Sequence, residues 1–351
     1  MKTVKTILHI LLEILIAVLV IAAIVIGLLT ITEYKPEDRE AAVVTDQGGK
    51  APFTGDTVKL MTFNIGYAGL SDNADFFMDG GKQVRATDHD RVKQNMEEIA
   101  AFAESVGADF TMLQEVDERS YRTFRENEVK YFADTLGQNA AFAPNYKSLF
   151  VPFPLPPIGG VNSGLETLST YTLEDAERVK LPCPFKWPVS TANLKRCLLV
   201  TRTPIEGSDR ELVIVNLHLE AYDDGEGKIA QTKMLLSVLR EEYEKGNYVI
   251  AGGDFNQTFP HALERYPMQD PDLWTPGTLE EDALDEGWVY AYDLETPTCR
   301  LLDAPLSENN QRYVIDGFIL SPNLELVSVE TQNLNFHASD HNPVVMTVKM
   351  K

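Results

Sequence analysis

The chain has 351 residues, of which 31 are Lys or Arg and 53 are Asp or Glu, so its formal net charge is −22. Because phosphate backbones are bound by clustered Lys and Arg, a protein this acidic is not expected to cover an extended stretch of nucleic acid. Hydrophobic residues make up 44% of the chain, which is enough for a large folded core and excludes a mostly disordered protein.

The chain begins with an apolar segment that is long enough to span a membrane. Residues 14–31 contain no charged side chain, and a bilayer core of about 30 Å needs about 20 apolar residues in a helix. Lys2 and Lys5 precede the segment and acidic residues follow it, which predicts a cytoplasmic N-terminus. A cleaved signal peptide and a buried helix are the alternatives. We predict a single-pass cell-membrane protein, with residues 1–32 as cytoplasmic tip and transmembrane anchor and the remainder outside the cytoplasm.

Residues 33–56 mix Pro, Gly and charged side chains without a sustained hydrophobic period, which indicates a tether. Residues 57–351 are predicted to form one folded domain. The chain has three cysteines, too few for a disulfide framework, although the spacing allows a bridge between Cys183 and Cys197 outside the cytoplasm.

The folded part alternates apolar runs with amphipathic segments, which predicts an α/β fold. The pattern favours a four-layer α/β sandwich, in which two packed mixed sheets are flanked by helices. Predicted strands cover 58–65, 109–116, 197–202, 211–219, 248–255, 313–320, 324–331 and 342–348, and predicted helices cover 92–106 and 228–244.

Two segments interrupt the alternation of apolar runs and amphipathic segments. Residues 144–190 are rich in proline and are predicted to form a structured but irregular rim loop. Residues 264–308 contain twelve acidic residues against Arg265 and Arg300, so this insert alone carries a net charge of −10.

Polar side chains occur where the predicted strands end or begin, which is where α/β sheets place functional groups. Individually, each has an ordinary structural explanation, such as a strand cap or a turn. Four of them are carboxylates, and burying four carboxylates together is tolerated only if protons or cations neutralise them. Oxygen ligands favour Mg²⁺ or Mn²⁺ over Zn²⁺. The set comprises Asn64, Glu115, His218, Asp254, Asn256, Asp316, Asp340 and His341.

A cation site of this kind activates phosphoryl transfer to water. The sequence has no Gly-x-Ser-x-Gly elbow, Walker loop or Gly-x-Gly-x-x-Gly fingerprint, so serine hydrolases, nucleotide kinases and dinucleotide-dependent enzymes are disfavoured.

Six motifs in this order resemble the endonuclease/exonuclease/phosphatase superfamily across the whole predicted domain. They are TFNI (62–65), LQEVD (113–117), NLHLE (216–220), GGDFNQ (252–257), IDGFIL (315–320) and SDHNPV (339–344). The resemblance implies that residues 57–351 form a catalytic domain that cleaves phosphoester bonds with a divalent cation.

The resemblance also implies a role for each residue. Glu115 would be the principal metal ligand, with Asn64 and Asp340 nearby. Asp254 would orient or deprotonate the attacking water. The remaining roles concern the phosphate: Asn256 would hold it, His218 would hydrogen-bond or protonate one of its oxygens, and Asp316 would set the tautomer of His341, which stabilises the transition state. Additional candidates from the middle of the chain are Tyr146, Lys147 and residues 162–164.

The substrate stays open at this stage. The anchor, the acidity and the apolar side chains of the proline-rich segment (Phe150, Phe153, Leu155 and Ile158) favour a phosphodiesterase that acts on a lipid headgroup or another small phosphodiester. A metal-dependent nuclease is the alternative, with Lys147, Lys195 and Arg196 as its local cations. A catalytically silent binding module is the non-enzymatic alternative.

Overall fold

The computed structural model describes residues 2–45, 48–223 and 225–351. Residues 46 and 47 of the expected tether therefore lie outside the described residues. The helices are α1 (Lys2–Ile31), α2 (His89–Val106), α3 (Glu128–Leu136), α4 (Glu226–Glu244) and α5 (Ala262–Arg265), with short 3-10 turns at Gly66–Ala68, Phe77–Asp79, Tyr121–Thr123, Val189–Ala192 and Glu281–Ala283. The strands are β1 (Arg39–Ala41), β2 (Val43–Thr45), β3 (Thr57–Asn64), β4 (Phe110–Asp117), β5 (Asn139–Val151), β6 (Gly159–Ser169), β7 (Asp175–Lys180), β8 (Cys197–Pro204), β9 (Glu211–His218), β10 (Tyr248–Asp254), β11 (Gln257–Thr258), β12 (Gly277–Thr278), β13 (Val289–Ala291), β14 (Cys299–Arg300), β15 (Arg312–Tyr313), β16 (Asp316–Leu320), β17 (Leu324–Thr331) and β18 (Val344–Met350).

Two seven-stranded sheets form the centre of the fold. The first sheet has the order β1-β7-β8-β9-β10-β16-β13, and the second has the order β17-β18-β3-β4-β6-β5-β2. Each sheet contains one parallel pair, β9 with β10 and β3 with β4, and its other pairs are antiparallel. A parallel pair requires a crossover connection, and the predicted helices supply it, since α2 joins β3 to β4 and α4 joins β9 to β10.

The sheets pack face to face and the helices cover their outer faces. Between the sheets, Leu60 and Met112 share a buried cluster with Ile214 of the first sheet. On the outside, Leu235 of α4 packs against the first sheet and Met96 of α2 against the second. This confirms the predicted four-layer α/β sandwich.

The proline-rich segment 144–190 differs from its prediction. It contains the end of β5, all of β6 and all of β7, so the prediction of an irregular rim loop is wrong. Most of its prolines lie in the connections between strands, and Pro144 lies at a register shift between β5 and β6, where a missing N–H does not interrupt the ladder. The irregular parts are the β5–β6 loop and the connection from β7 to β8.

The predicted tether also differs, because two short strands form within it. Strand β1 pairs with β7 at one edge of the first sheet, and β2 pairs with β5 at one edge of the second. The Pro and Gly residues that suggested a tether lie outside these three-residue strands. The ordered contacts of the domain therefore begin before Thr57.

Helix α1 stands apart from the sandwich for most of its length. Within it, Thr3–Ile31 is long and apolar enough to be a membrane span or a signal sequence. Its side chains are mostly exposed, and only the last turns approach the domain. The cysteines Cys183, Cys197 and Cys299 are free thiols, so Cys183 and Cys197 are not bridged.

Candidate active site

All eight predicted residues lie at one edge of the sandwich, where both sheets end. In the first sheet, Asp254 at the end of β10 is in register with His218 of β9 and with Asp316 of β16. The second sheet contributes Asn64 at the end of β3 and Glu115 from β4, together with Asp340 and His341, which precede β18. Each sheet therefore supplies half of the site.

Glu115 reaches the site because β4 is irregular there. The pairing of β4 with β6 shifts register between Leu113 and Val116, and Glu115 has φ 57°, in the left-handed region. A β-bulge re-aims a side chain in this way, and a non-glycine residue with positive φ stores backbone strain that the surrounding structure must support.

Asn64 links the two halves of the site. Its Nδ2 donates to Asp254 Oδ2 at 3.0 Å and to Glu115 Oε1 at 3.2 Å. Its Oδ1 accepts a hydrogen bond from Gly66 N at 3.0 Å, which sets the orientation of the amide. Ser339 Oγ donates to the Asn64 backbone carbonyl at 2.8 Å and so ties β3 to the segment that carries Asp340. One buried amide thereby contacts carboxylates from both sheets.

Asp316 and His341 form the second link between the sheets. His341 Nδ1 lies 2.8 Å from Asp316 Oδ2, and the other ring nitrogen, Nε2, lies 3.8 Å from Asp254 Oδ2. Thr298 Oγ accepts from the backbone N–H of Asp316 at 3.1 Å, which holds that strand end in place. The ring of His341 is therefore oriented by one carboxylate and directs its Nε2 toward another.

His218 and Asn256 flank Asp254 in the first sheet. His218 Nε2 lies 3.4 Å from Asp254 Oδ2, and Asn256 N donates to Asp254 Oδ1 at 2.8 Å. One N–H of the Asn256 amide donates to the Leu219 carbonyl at 2.9 Å, which leaves the second for a ligand. Arg196 donates a hydrogen bond to the backbone carbonyl of His218, so a cation lies next to the end of β9.

Burial shifts the pKa values of the ionisable groups in different directions. Burial, reinforced by the nearby Asp316, raises the pKa of Asp254 to about 7. Burial also raises the pKa of Asp340 to about 7, where His341 opposes the shift and Glu115 adds to it. Burial, with Arg196 and His341 nearby, lowers the pKa of His218. Burial also acts to lower the pKa of His341, but the charge of Asp316 outweighs it and the pKa is raised. The two histidines therefore differ in basicity.

The oxygen atoms present fit a hard divalent cation. Glu115, Asp340 and Asn64 offer carboxylate and amide oxygens, and the repulsion between Glu115 and Asp340 that helps to raise the pKa of Asp340 is relieved by a positive charge. Potential ligand atoms of Asp254, Asp316 and His341 also lie within 4.8 Å of one another. Glu115 lies outside this cluster of three residues and is connected to it by the hydrogen bonds of Asn64.

Sequence reasoning missed Cys299 as a neighbour of the site. Its sulfur lies within 4.8 Å of ligand atoms of Asp340 and His341, and burial raises the pKa of the thiol to about 12. The thiol form therefore dominates at neutral pH, which keeps the donor set rich in oxygen. No sequence pattern marked Cys299, because it reaches the site through a single β-bridge to His341.

The additional candidates from the middle of the chain divide between the site and the surface. Tyr146 and Ser163 line the cavity above the site, and Ser163 Oγ accepts from Arg122 at 3.1 Å. Lys147 instead lies over the ring of Tyr34, away from the cavity. Asn162 is bonded to Glu118.

The eight residues lie at or near the floor of a cavity of about 580 Å³. Aromatic side chains that sequence reasoning did not identify line one wall, among them Tyr222 and Trp274. Tyr222 donates its hydroxyl to Asp79 Oδ1 at 2.7 Å, and Trp274 comes from the acidic insert 264–308. Only the fold brings these distant segments together, so the sequence contained no signal for them.

Comparisons with known proteins agree with this geometry. A family model described as the Endonuclease/Exonuclease/phosphatase family matches residues 61–341. No curated protein sequence matches significantly.

Solved structures similar to this chain share its fold. An endonuclease/exonuclease/phosphatase from Beutenbergia cavernae DSM 12333 has a TM-score of 0.58 at 16% identity, covering 84% of this chain and 72% of that one. The human Nocturnin catalytic domain with bound sulfate anion has a TM-score of 0.53 at 17% identity, covering 88% and 97%. TDP2 from Caenorhabditis elegans has a TM-score of 0.51 at 16% identity, covering 85% and 76%. At these identities the likeness establishes the fold, while the family match spans most of the sequence and includes every predicted site residue. The chain belongs to the Endonuclease/Exonuclease/phosphatase family, whose members are typically hydrolases that act on phosphoesters.

Proposed function

We propose that this protein is a Mg²⁺- or Mn²⁺-dependent phosphodiesterase of the cell membrane. It acts outside the cytoplasm on a lipid headgroup or another small phosphodiester. The observation that carries the proposal is the meeting of two acidic and histidine-containing half-sites at the floor of one cavity, linked by the contacts of Asn64 with Asp254 and of Asp316 with His341.

Asn64, Glu115 and Asp340 are the residues that would hold the cation. A divalent cation, when bound, polarises a phosphoryl oxygen and offsets negative charge that develops on it. The strained backbone of Glu115 supports this assignment, because strain of this kind is retained where a side chain must be aimed at a ligand.

Asp254 is the residue best placed to accept a proton from the attacking water. Its Oδ1 is occupied by the N–H of Asn256, so its Oδ2 faces His218, Asn64 and the cavity. A buried carboxylate with one committed oxygen and one that faces a cavity is suited to orient a single water molecule.

The remaining residues act on the phosphate itself. The Nε2 of His341, oriented through Asp316, and the ring of His218 are donors for phosphoryl oxygens, and the second N–H of Asn256 adds a neutral donor. A set of donors held by both sheets needs little rearrangement when charge develops in the transition state.

The activity is tested with the purified full-length chain in detergent and bis(4-nitrophenyl) phosphate as a generic diester. We expect turnover that requires Mg²⁺ or Mn²⁺ and stops in chelator. The monoester 4-nitrophenyl phosphate should be a poorer substrate. Undiminished hydrolysis in chelator would refute the metal requirement, and the absence of any hydrolysis would favour a silent binding module.

The nuclease alternative and the topology have their own tests. A higher kcat/KM for plasmid DNA or RNA than for small diesters would replace the phosphodiesterase proposal by a nuclease. Protease added to intact cells should digest the domain while leaving cytoplasmic proteins whole. A domain protected until the cells are lysed would contradict action outside the cytoplasm.

A further inference from the structure

The cavity above the site extends from a polar floor to an apolar wall that includes part of helix α1. Six of the eight site residues line this cavity, namely Glu115, His218, Asp254, Asn256, Asp340 and His341. Ile26 and Leu29 from the last turns of α1 line the same cavity. Its volume of about 580 Å³ is within the range of small-molecule sites. The wall between the two ends is mostly apolar, with Leu70, Phe77, Val151, Phe153, Ile158 and Leu194 among its members.

Specific contacts hold the end of α1 at the mouth of this cavity. Trp187 Nε1 donates to Thr30 Oγ at 3.1 Å, and Lys195 Nζ lies 2.9 Å from Glu33 Oε1, with both charged side chains largely buried. The helix end is therefore part of the cavity wall. If α1 spans a bilayer, its last turns lie at the outer leaflet, so the mouth of the cavity lies at the same level.

Exposed apolar side chains surround the mouth. The β5–β6 loop exposes Phe153 (67%) and Leu155 (88%), and Trp187 is 63% exposed beside α1. The sequence has no charged residue from 149 to 158. Soluble surfaces rarely present such a loop without a partner, and Trp at the end of an apolar helix is typical of a membrane interface. The apolar rim is defined here as Leu149, Phe150, Phe153, Leu155, Trp187 and Val189. It meets α1 at Trp187, which bonds Thr30, and its Phe153 and Val189 line the same cavity as Ile26 and Leu29.

We infer that the apolar rim inserts into the outer leaflet and that the substrate is a phospholipid of that bilayer. The inference rests on the proposed function and names its substrate class. The lipid enters sideways past α1, its phosphodiester reaches the polar floor, and the first part of its chains lies against Ile26 and Leu29. The anchor helix is thus a wall of the binding site as well as an attachment.

The shape and charge of the cavity support a lipid over a soluble diester. A soluble diester needs no apolar wall between its phosphate and the solvent, whereas a lipid must keep its chains out of water while its phosphate is desolvated. The cavity satisfies both needs, since its apolar end meets α1 and its polar end meets the catalytic residues.

The test uses full-length protein reconstituted in vesicles of phosphatidylcholine, phosphatidylethanolamine and phosphatidylglycerol, with bis(4-nitrophenyl) phosphate as a second substrate in the same sample. Phosphorylated headgroup released from the vesicles measures lipid hydrolysis. Leu29→Trp fills the apolar end of the cavity and should lower headgroup release about tenfold or more, and much more than diester hydrolysis. Leu28→Trp is the matched control, because Leu28 is 56% exposed, does not line the cavity, and should leave both rates unchanged.

A second pair of variants tests the rim independently of α1. Leu155→Asp places a charge in the leaflet and should lower headgroup release while diester hydrolysis continues. Val327→Asp, at an exposed site on β17, is its control. Hydrolysis of the generic diester reports that each variant is folded.

The outcomes separate the two proposals. If the diester is hydrolysed but none of the three lipids is, the lipid inference fails and the proposed function stands. If neither is hydrolysed, the proposed function itself fails. Equal effects of Leu29→Trp and Leu28→Trp, together with equal effects of the two aspartate variants, would also overturn the inference.

Discussion

Asp316 Oδ2 and His341 Nδ1 lie 2.8 Å apart, with both side chains buried and each supplied by a different sheet. Asp316 reaches the reacting atoms only through His341, so we assign it a positioning role. In Asp316→Asn the amide can donate to Nδ1 and favour the wrong tautomer, and we expect kcat to fall by roughly 10²–10⁴-fold with little change in KM. The kinetics should be measured on the variant alongside its circular dichroism spectrum. An unchanged kcat, or a loss that only follows unfolding, would contradict this role.

Glu115→Gln tests the cation site while keeping the size of the side chain. Removing one negative ligand should weaken Mg²⁺ affinity by at least about tenfold, so activity at low Mg²⁺ falls and recovers in part at high Mg²⁺. A Mg²⁺ titration of diester hydrolysis gives the measurement. Glu97→Gln, at an exposed position on α2, controls for the lost charge. Identical Mg²⁺ dependence in wild type and both variants would remove Glu115 from the metal site.

Gly253 allows Asp254 to approach β9. A Cβ at this position would lie 1.9 Å from the Leu217 backbone oxygen, and its φ is +148°. We expect Gly253→Ala to lower the free energy of unfolding by about 3 kcal/mol or more, because the backbone at Leu217 or Gly253 must move to make room for the Cβ. Gly207→Ala has a positive φ of +73° but open space around it, and should cost only about 1 kcal/mol. Chemical denaturation measures both, and equal losses would show that the contact with Leu217 is relieved easily.

Glu166 makes stability depend on pH. It is fully buried in β6, and burial raises its pKa well above the ordinary value of 4.5. As the pH rises above 4.5, the unfolded chain loses this proton while the folded chain keeps it. The free energy of unfolding therefore falls as the pH rises. The loss amounts to at most about 1.4 kcal/mol per pH unit.

Glu166→Gln should therefore flatten the fall in unfolding free energy between about pH 5 and 8 and should make the protein more stable at the upper end of that range. Glu174→Gln, at an exposed position, controls for net charge. Thermal unfolding across this range is the measurement. A wild-type slope that persists in Glu166→Gln would assign the pH dependence to other groups.

The order of strands and helices was predictable where the hydrophobic pattern was strong. The runs that became β3, β4, β9 and β10 are apolar on both faces, because both faces are covered. The pattern failed for residues 144–190, where proline-rich connections obscured β6 and β7, and for β1 and β2, whose three residues are too short to show a period. Whether such segments form strands depends on the strands they pair with, which lie elsewhere in the sequence.

The site was predictable to the extent that its residues end strands. Asp254 and His218 meet because their strands are neighbours and parallel, a relationship that sequence position makes plausible. Tyr222 and Trp274 come from connections and Cys299 from the two-residue strand β14, and the paths of these segments depend on the complete fold, so no local signal marked them. Likewise, nothing in an apolar helix indicates that its last turns will line a cavity.

Strands β1 and β2 have a mechanical consequence. They belong to one short stretch of chain, yet one adds to the first sheet and the other to the second, and the same stretch leads back to α1. Beyond the Trp187–Thr30 and Lys195–Glu33 contacts, a pull from the helix passes through two three-residue strand pairings, one on each sheet, and each sheet bears half of the candidate site. If α1 anchors the protein in a membrane, as proposed, force on the anchor reaches both half-sites through these strands.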